Sequence, residues 1–167
     1  ESMGAVAVVL ATESRARRTR GPIAWLTGWG AATTRAIIDP LWVLDPFSTA
    51  AEASRHALRQ AGVTSFGEDV DLVELTAFTP ALIDDARQAL GVPADYDEDR
   101  INLHGGVLSN FPGFANGALR LTQAARWLQA GQGNAGRGRP SRAVVHSMDN
   151  LMGPIASSAA TIVLEAA

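Results

Sequence analysis

The chain contains neither cysteine nor lysine among its 167 residues. Without cysteine it supplies no disulfide, no thiolate metal ligand and no thiol nucleophile. Without lysine it forms no Schiff base with a carbonyl substrate, and it lacks the lysine of a phosphate-binding P-loop. Any chemistry carried by this chain must therefore rest on other side chains.

Positive charge and long apolar runs are also scarce. The formal net charge is -3, which argues against nucleic acid or an anionic membrane as the main partner, since either would need a basic face. No apolar run approaches the ~20 residues that span a bilayer. We therefore expect neither nucleic acid nor a membrane as a partner.

What the chain does have is enough apolar sequence for a core. Its residues are 47% hydrophobic, and a chain of this length can bury a core without disulfide or metal. We expect one domain over residues 1–167. The sequence begins "ESMGAVAVVL", with no initiating Met, which we interpret as a chain cut out of a longer polypeptide. We expect the domain to be half of that longer chain or a subunit.

Hydrophobic periodicity and turn residues predict alternating strands and helices. The run "GAVAVVLA" is β-branched and apolar, as in a strand buried on both faces. Gly91 is expected to end a helix that begins near Thr79. The predicted strands are 4–11, 22–30, 69–75, 142–147 and 158–166, the predicted helices are 48–61, 80–90 and 116–130, and 131–141 is a Gly/Arg linker. This order predicts an α/β fold with a mixed five-stranded sheet covered by helices.

Residues 101–117 read "INLHGGVLSNFPGFANG", a Gly-Gly pair followed by Pro and by small residues that open a helix. Acyl-CoA sites are often built on such a loop. Five strings of the chain, in order and spacing, resemble the C-terminal half of a thiolase of the acetyl-CoA acetyltransferase or sterol-carrier type. They are "GAVAVVLATES", "PIAWLTGWG", the segment from "AEASRHALRQAGV" to "ARQALGV" that contains "VELTAF", "INLHGGVLSNFPGFANGALRL" and "SAATIVLEA". The resemblance implies a thiolase-like C-terminal domain that pairs with a similar N-terminal half.

The catalytic positions of that family are replaced in this chain. Thiolases carry a Gly-His-Pro motif whose His activates a Cys of the N-terminal half, and here the motif reads Asn110-Phe111-Pro112. A second family Cys lies where this chain reads His146-Ser147-Met148-Asp149. Phe111 can pack but cannot move a proton. The resemblance therefore implies a thiolase-like domain that lacks the usual catalytic Cys and His.

Two histidines are the candidate catalytic residues. His104 precedes the Gly-Gly pair and can act as a substitute acid/base, or its ring can simply bond a backbone carbonyl. His146 ends a strand beside Ser147 and Asp149, but a triad needs a geometry that sequence does not give. The predicted substrate-binding residues are Gly105, Gly106, Asn110, Phe111 and Pro112. We expect no metal, since the acidic stretch around Tyr96 lacks the ligand spacing of a cation loop.

The resemblance leaves three functions open. The first is the C-terminal half of a divergent acyl-CoA acetyltransferase, inactive as this chain alone, with a coenzyme A thioester as substrate and no covalently bound cofactor. The second is a thiolase-fold retro-aldolase of steroid or acyl-CoA side-chain breakdown, and the third is a non-catalytic scaffold subunit. In each case the resemblance implies lipid metabolism in the cytoplasm, and a homo- or heterodimer completed by an N-terminal thiolase half.

Overall fold

A mixed sheet forms the centre of the fold. The computed structural model describes residues 3–33, 47–131, 141–148 and 158–167. In these ranges the strands are β1 (Ala24–Thr33), β2 (Leu72–Glu74), β3 (Arg142–Met148) and β4 (Ser158–Ala166). Their order across the sheet is β1-β4-β3-β2. Strand β4 is antiparallel to β1 and to β3, whereas β2 runs parallel to β3.

Helices and single turns connect these strands. They are α1 (Glu13–Ala16), α2 (Ser48–Gln60), α3 (Phe66–Asp69), α4 (Ile83–Leu90), α5 (Gly106–Ser109) and α6 (Asn116–Gln129), with 3-10 turns at Pro80–Leu82, Glu98–Arg100 and Gly113–Ala115. Gly91 ends α4 in the left-handed conformation, at φ 79°, as the sequence predicts. Of the helices in these ranges, none combines the length and the apolar character needed to cross a membrane.

Helices α2 and α4 cover one face of the sheet. Ala50, Ala53 and Ala57 of α2 are fully buried. Gly28 and Gly30 of β1 lie directly beneath α2, where a Cβ would overlap a helix carbonyl oxygen in each case. Small residues on both elements therefore let the strand and the helix approach closely.

Helix α6 covers the other face. Ala124 and Leu128 of α6 belong to a second buried cluster, together with residues from three strands. The strand residues of this cluster are Leu72, Ala143, Val145 and Leu164. The sheet is thus a layer between two helical layers, which confirms the predicted α/β class.

The predicted five-stranded sheet is wrong, because the sheet has four strands in the described residues. The missing strand is the first, at residues 4–11, which have no strand conformation. Val9 and Leu10 within it are 92% and 77% exposed. An apolar β-branched run becomes a strand only when a neighbouring strand pairs with it, and no described strand does so. Strand β2 is also shorter than predicted, since it covers Leu72–Glu74 of the predicted 69–75 and α3 already takes up Asp69. Residues 132–140 of the predicted linker lie outside the described residues.

Candidate functional site

The loop that follows the 3-10 turn Glu98–Arg100 is fastened to the end of β2 by Asn102. The backbone N–H of Asn102 donates to the carbonyl oxygen of Val73 at 2.7 Å. Its side-chain Oδ1 accepts from the backbone N–H of Leu75 at 2.8 Å. One asparagine thereby continues the hydrogen bonding of β2 and places residues 103–112 at the carboxyl end of the strand.

The Gly-Gly pair makes the sharp turn of this loop. Gly105 and Gly106 have φ values of 81° and 58°, in the left-handed region that favours glycine. A Cβ on Gly105 would overlap Oγ of Ser109, and a Cβ on Gly106 would lie 2.7 Å from the side chain of Asn102. Both glycines are therefore required by conformation and by space.

Arg120 of α6 holds the other side of the loop. Its side chain is fully buried, and one guanidinium nitrogen donates to the carbonyl oxygen of Gly106 at 2.9 Å and to that of Asn110. The remaining nitrogens donate to Oδ1 of Asn116 at 3.1 Å and to Oε1 of Gln123 at 2.9 Å. The fork of donors on an arginine suits such a set of fixed oxygens.

A buried carboxylate lies below the loop. Glu74, the last residue of β2, is fully buried and lies on the α6 side of the sheet, since Leu72 two residues earlier packs against α6. Nδ1 of His104 lies 3.6 Å from Oε1 of Glu74, and the imidazole is 43% exposed. A partly exposed imidazole thus lies beside a fully buried carboxylate.

Burial and neighbouring charges have opposite effects on the pKa values of this cluster. Burial raises the pKa of Glu74, and the charges of Arg120 and His104 partly offset that rise. Burial likewise lowers the pKa of Arg120, while Glu74 partly offsets the fall. Desolvation disfavours both charged forms, and the two opposite charges stabilise each other.

The predicted substrate-binding residues lie around this cluster. Gly106 is buried and Gly105 is exposed, as is Asn110, while Phe111 and Pro112 are half-buried. The ring of Phe111 meets the ring of Phe78 edge to face, with centroids 5.4 Å apart. Phe111 therefore contributes an apolar contact to the loop, in line with its predicted packing.

His146 lies in a different environment from His104. It is fully buried, and its Nδ1 accepts a hydrogen bond from the backbone N–H of Thr76 at 3.3 Å. Its Nε2 has no hydrogen-bond partner among the described residues. Burial lowers the pKa of His146 to about 4, so the imidazole is neutral near pH 7, with its proton on Nε2.

The two candidate histidines lie on opposite faces of the sheet. His146 pairs across the ladder with Thr161, and the hydroxyl of Thr161 bonds that of Ser54 in α2 at 3.0 Å. Residues directly opposite in a ladder share a face, so His146 points toward α2 while Glu74, with His104 beside it, lies on the α6 side. Asp149, the third residue of the sequence cluster, lies outside the described residues.

Sequence reasoning missed Glu74 and Arg120 as site residues. Both had a signal in the pattern of the chain. Glu74 stands inside the largely apolar segment "DLVEL", and Arg120 falls on the four-residue repeat of buried positions 116, 120, 124 and 128 of α6. A charge at a position that the pattern places inside is a candidate for a buried pair.

The arrangement can support proton transfer at the imidazole of His104. A partly exposed imidazole with a carboxylate near its Nδ1 can take up or release a proton through its other nitrogen, Nε2. The cluster contains neither thiol nor amine nucleophile, since the chain has no Cys and no Lys. Acid/base chemistry at His104 is therefore a function that this arrangement can support.

Comparison with known proteins identifies the fold. No protein-family model matches this chain, and no curated protein sequence does either. A monomeric SCP2-thiolase-like protein type 1 from Mycobacterium smegmatis superposes with a TM-score of 0.58 at 18% identity, over 84% of this chain and 28% of that one. An acetyl-CoA acetyltransferase from Bacillus anthracis superposes with a TM-score of 0.59 at 18% identity, over 93% of this chain and 34% of that one. The chain therefore has a thiolase-like fold and spans a minor part of the length of both proteins.

Proposed function

We propose that this chain is the C-terminal half of a divergent thiolase-like acyltransferase that acts on acyl-CoA thioesters and is incomplete without an N-terminal half. Its thiolase-like fold supports the proposal, together with the small share of each solved thiolase-like chain that it spans. The exposed apolar run 4–11 supports it too, because Val9 and Leu10 lack cover in this chain. An unpaired apolar segment of strand composition can pair with the edge strand of a sheet formed by another part of the polypeptide.

One observation carries the functional part of the proposal. The Gly-Gly loop stands at the carboxyl end of β2, and it presents His104 with a buried carboxylate behind it. Ligands of open α/β sheets bind at the carboxyl ends of parallel strands. We assign His104 as the acid/base or carbonyl donor, and Gly105, Gly106, Asn110, Phe111 and Pro112 as the lining of the thioester site.

A catalytic role for His146 stays a prediction. Its position between the sheet and α2, with a fully buried ring, favours a structural role, because a substrate cannot reach it without opening the core. His104 is therefore the histidine on which the proposed activity depends.

The experiment that tests this function is an assay of the full-length native protein with a panel of 3-ketoacyl-CoA thioesters and free coenzyme A. Thiolytic cleavage yields a shortened acyl-CoA and acetyl-CoA, both separable by liquid chromatography. We expect activity that falls by about 100-fold or more in His104→Ala, the usual scale for loss of a general acid/base. His56→Ala, at an exposed position of α2, is the matched control and should leave the rate unchanged. Absence of any CoA-dependent carbon–carbon cleavage or formation contradicts the proposal.

The absence of cysteine from this chain favours a second candidate. A retro-aldolase needs no second Cys to move the proton of an acetyl group. It needs a base that takes the 3-hydroxyl proton of a 3-hydroxyacyl-CoA, after which the C2–C3 bond breaks and C2 is protonated. His104, with Glu74 beside its Nδ1, can serve as that base. Release of an aldehyde or ketone from a 3-hydroxyacyl-CoA without free coenzyme A would establish this activity.

A non-catalytic scaffold subunit would catalyse neither reaction. The turnover rate of its active partner would then be unchanged when both His104 and His146 become Ala.

A further inference from the structure

Glu74 is a buried carboxylate whose hydrogen-bonding capacity is unused within the described residues. Neither of its oxygens has a hydrogen-bond partner there, although the side chain is fully buried. Buried carboxylates are expected to be hydrogen-bonded, and an exception calls for an explanation, of which a catalytic role is one. The charge of Glu74 is costly to bury, so a sequence selected for stability alone would favour an apolar residue at the end of β2.

Among the residues that the structure describes, Glu74 is affected by one opposite charge and one titratable ring. Arg120 of α6 supplies the charge, and its own hydrogen bonds go to Gly106, Asn110, Asn116 and Gln123 rather than to Glu74. It therefore acts on the carboxylate through space. The ring is that of His104, whose Nδ1 lies 3.6 Å from Oε1 of Glu74.

The loop holds His104 at this place through its backbone. Asn102 binds the loop to β2 two residues before the histidine. On the other side of the turn, the hydroxyl of Ser109 donates a hydrogen bond to the carbonyl oxygen of His104 at 3.0 Å. The backbone of His104 is thus fixed at both ends of the turn, and only the ring orientation is left to be set.

We propose that Glu74 is the positioning residue for His104, holding the imidazole with its Nδ1–H toward β2 so that Nε2 is the nitrogen that acts on a ligand of the loop. Arg120 favours the carboxylate form that this role requires. A carboxylate that orients an imidazole fixes both its tautomer and its direction, as in other histidine-dependent sites. The role in a reaction rests on the proposed function, whereas the pairing of Glu74 with His104 does not.

The pairing is tested by the tautomer of His104 in the full-length native protein labelled with 15N-histidine, read from the chemical shifts of the two ring nitrogens. The His104→Gln spectrum assigns the signal. We expect neutral His104 to carry its proton on Nδ1 in the native protein. In Glu74→Gln, which keeps the size of the side chain and removes its charge, the proton should shift toward Nε2. Glu98→Gln, at an exposed carboxylate, is the control and should change nothing. The same tautomer in the native protein and in Glu74→Gln overturns the pairing.

The reaction rate then separates this inference from the proposed function. With whichever thioester the protein turns over, Glu74→Gln should lower kcat by about 10- to 100-fold and leave KM nearly unchanged, because a positioning residue acts on the proton transfer. Glu74→Asp, which keeps the charge and shortens the side chain by one methylene, should recover part of kcat. An unchanged kcat in Glu74→Gln overturns the positioning role. A shifted tautomer in a protein that turns over no thioester supports the pairing and contradicts the proposed function.

Discussion

The guanidinium of Arg120 donates a hydrogen bond to the carbonyl oxygen of Gly106 at 2.9 Å, and this contact joins helix α6 to the Gly-Gly loop. The same side chain faces the buried Glu74, whose charge it partly balances. A single buried residue thus connects α6, the loop and the end of β2. We therefore expect the shape of the candidate site to depend on that residue.

Replacing Arg120 should therefore destabilise the protein strongly. Arg120→Met keeps the apolar stem but removes every donor and leaves Glu74 buried without a countercharge. Leaving a buried charge without compensation in this way costs about 3–5 kcal/mol. Urea denaturation of the native protein and of the variant measures the loss in the free energy of unfolding.

Two further variants separate the effect of the charge on stability from the effect of side-chain shape. Arg126→Met, at an exposed position of α6, should stay within ~0.5 kcal/mol of the native protein. The double variant Arg120→Met, Glu74→Gln should regain part of the loss, because it no longer contains an unpaired buried charge. A double variant that is as unstable as the sum of both single variants would show that the two charges do not interact.

A second prediction concerns the contact between β1 and α2. Gly30→Ala places a Cβ against the carbonyl oxygen of Ala53, so the strand and the helix must separate. Overpacking of this kind costs about 1–3 kcal/mol, measurable as a lower midpoint in thermal or urea denaturation. Gly21→Ala is the matched control, since a Cβ there meets nothing within 4 Å. Equal stability of both variants would rule out the close packing of β1 on α2.

Much of this fold follows from local sequence. The predicted strand at 158–166 has the observed bounds of β4, and the predicted helix at 116–130 ends one residue later than α6. Both segments have strong periodicity and clear ends, and both pack against the sheet that the pattern implies. Gly91 likewise ends α4 as predicted because its left-handed conformation is a local property.

Other features depend on contacts that a sequence does not display. The run 4–11 has the composition of a strand, yet strand formation needs a partner, and none is present in the described residues. His104 and His146 look equivalent in the sequence as strand- or loop-end histidines. Their difference arises from the pairing of His146 with Thr161, which turns it toward α2. The Glu74–His104 approach joins residues 30 positions apart, and no local pattern predicts such a pair.

Buried His146 predicts a loss of stability in acid. Its pKa is about 4 in the folded protein against 6.5 for the unperturbed ring, so the unfolded chain binds one proton more between these values. Stability is therefore complete above about pH 6.5 and falls as the pH drops toward 4, by about 3 kcal/mol in total. The measurement is the free energy of unfolding of the native protein, taken at several pH values in this window.

The contribution of His146 is isolated by comparison with His146→Gln. That variant loses the acceptor for the N–H of Thr76 and should be less stable at pH 7, but its stability should fall less steeply below pH 6.5. The expected difference in slope is about one proton, or ~1.4 kcal/mol per pH unit at most. His56→Gln, at an exposed position of α2, should retain the slope of the native protein. Parallel curves for the native protein and His146→Gln would mean that His146 is not buried in solution.

The last prediction concerns the apolar run 4–11, which should be a strand in the full-length protein. Val9 is 92% exposed in this chain, and a run of this composition is stable in water only when its backbone and its side chains are covered. Amide hydrogen exchange, read by mass spectrometry, should therefore be slow for residues 4–11 in the full-length protein and fast in the isolated 167-residue chain. Val9→Asp should make these amides exchange faster in the full-length protein, because burial of an unpaired carboxylate opposes pairing. Ala94→Asp, at an exposed position beyond α4, should leave them slow. Fast exchange of residues 4–11 in the full-length protein itself would mean that no other segment covers them, and the proposed N-terminal half would lose its main structural support in this chain.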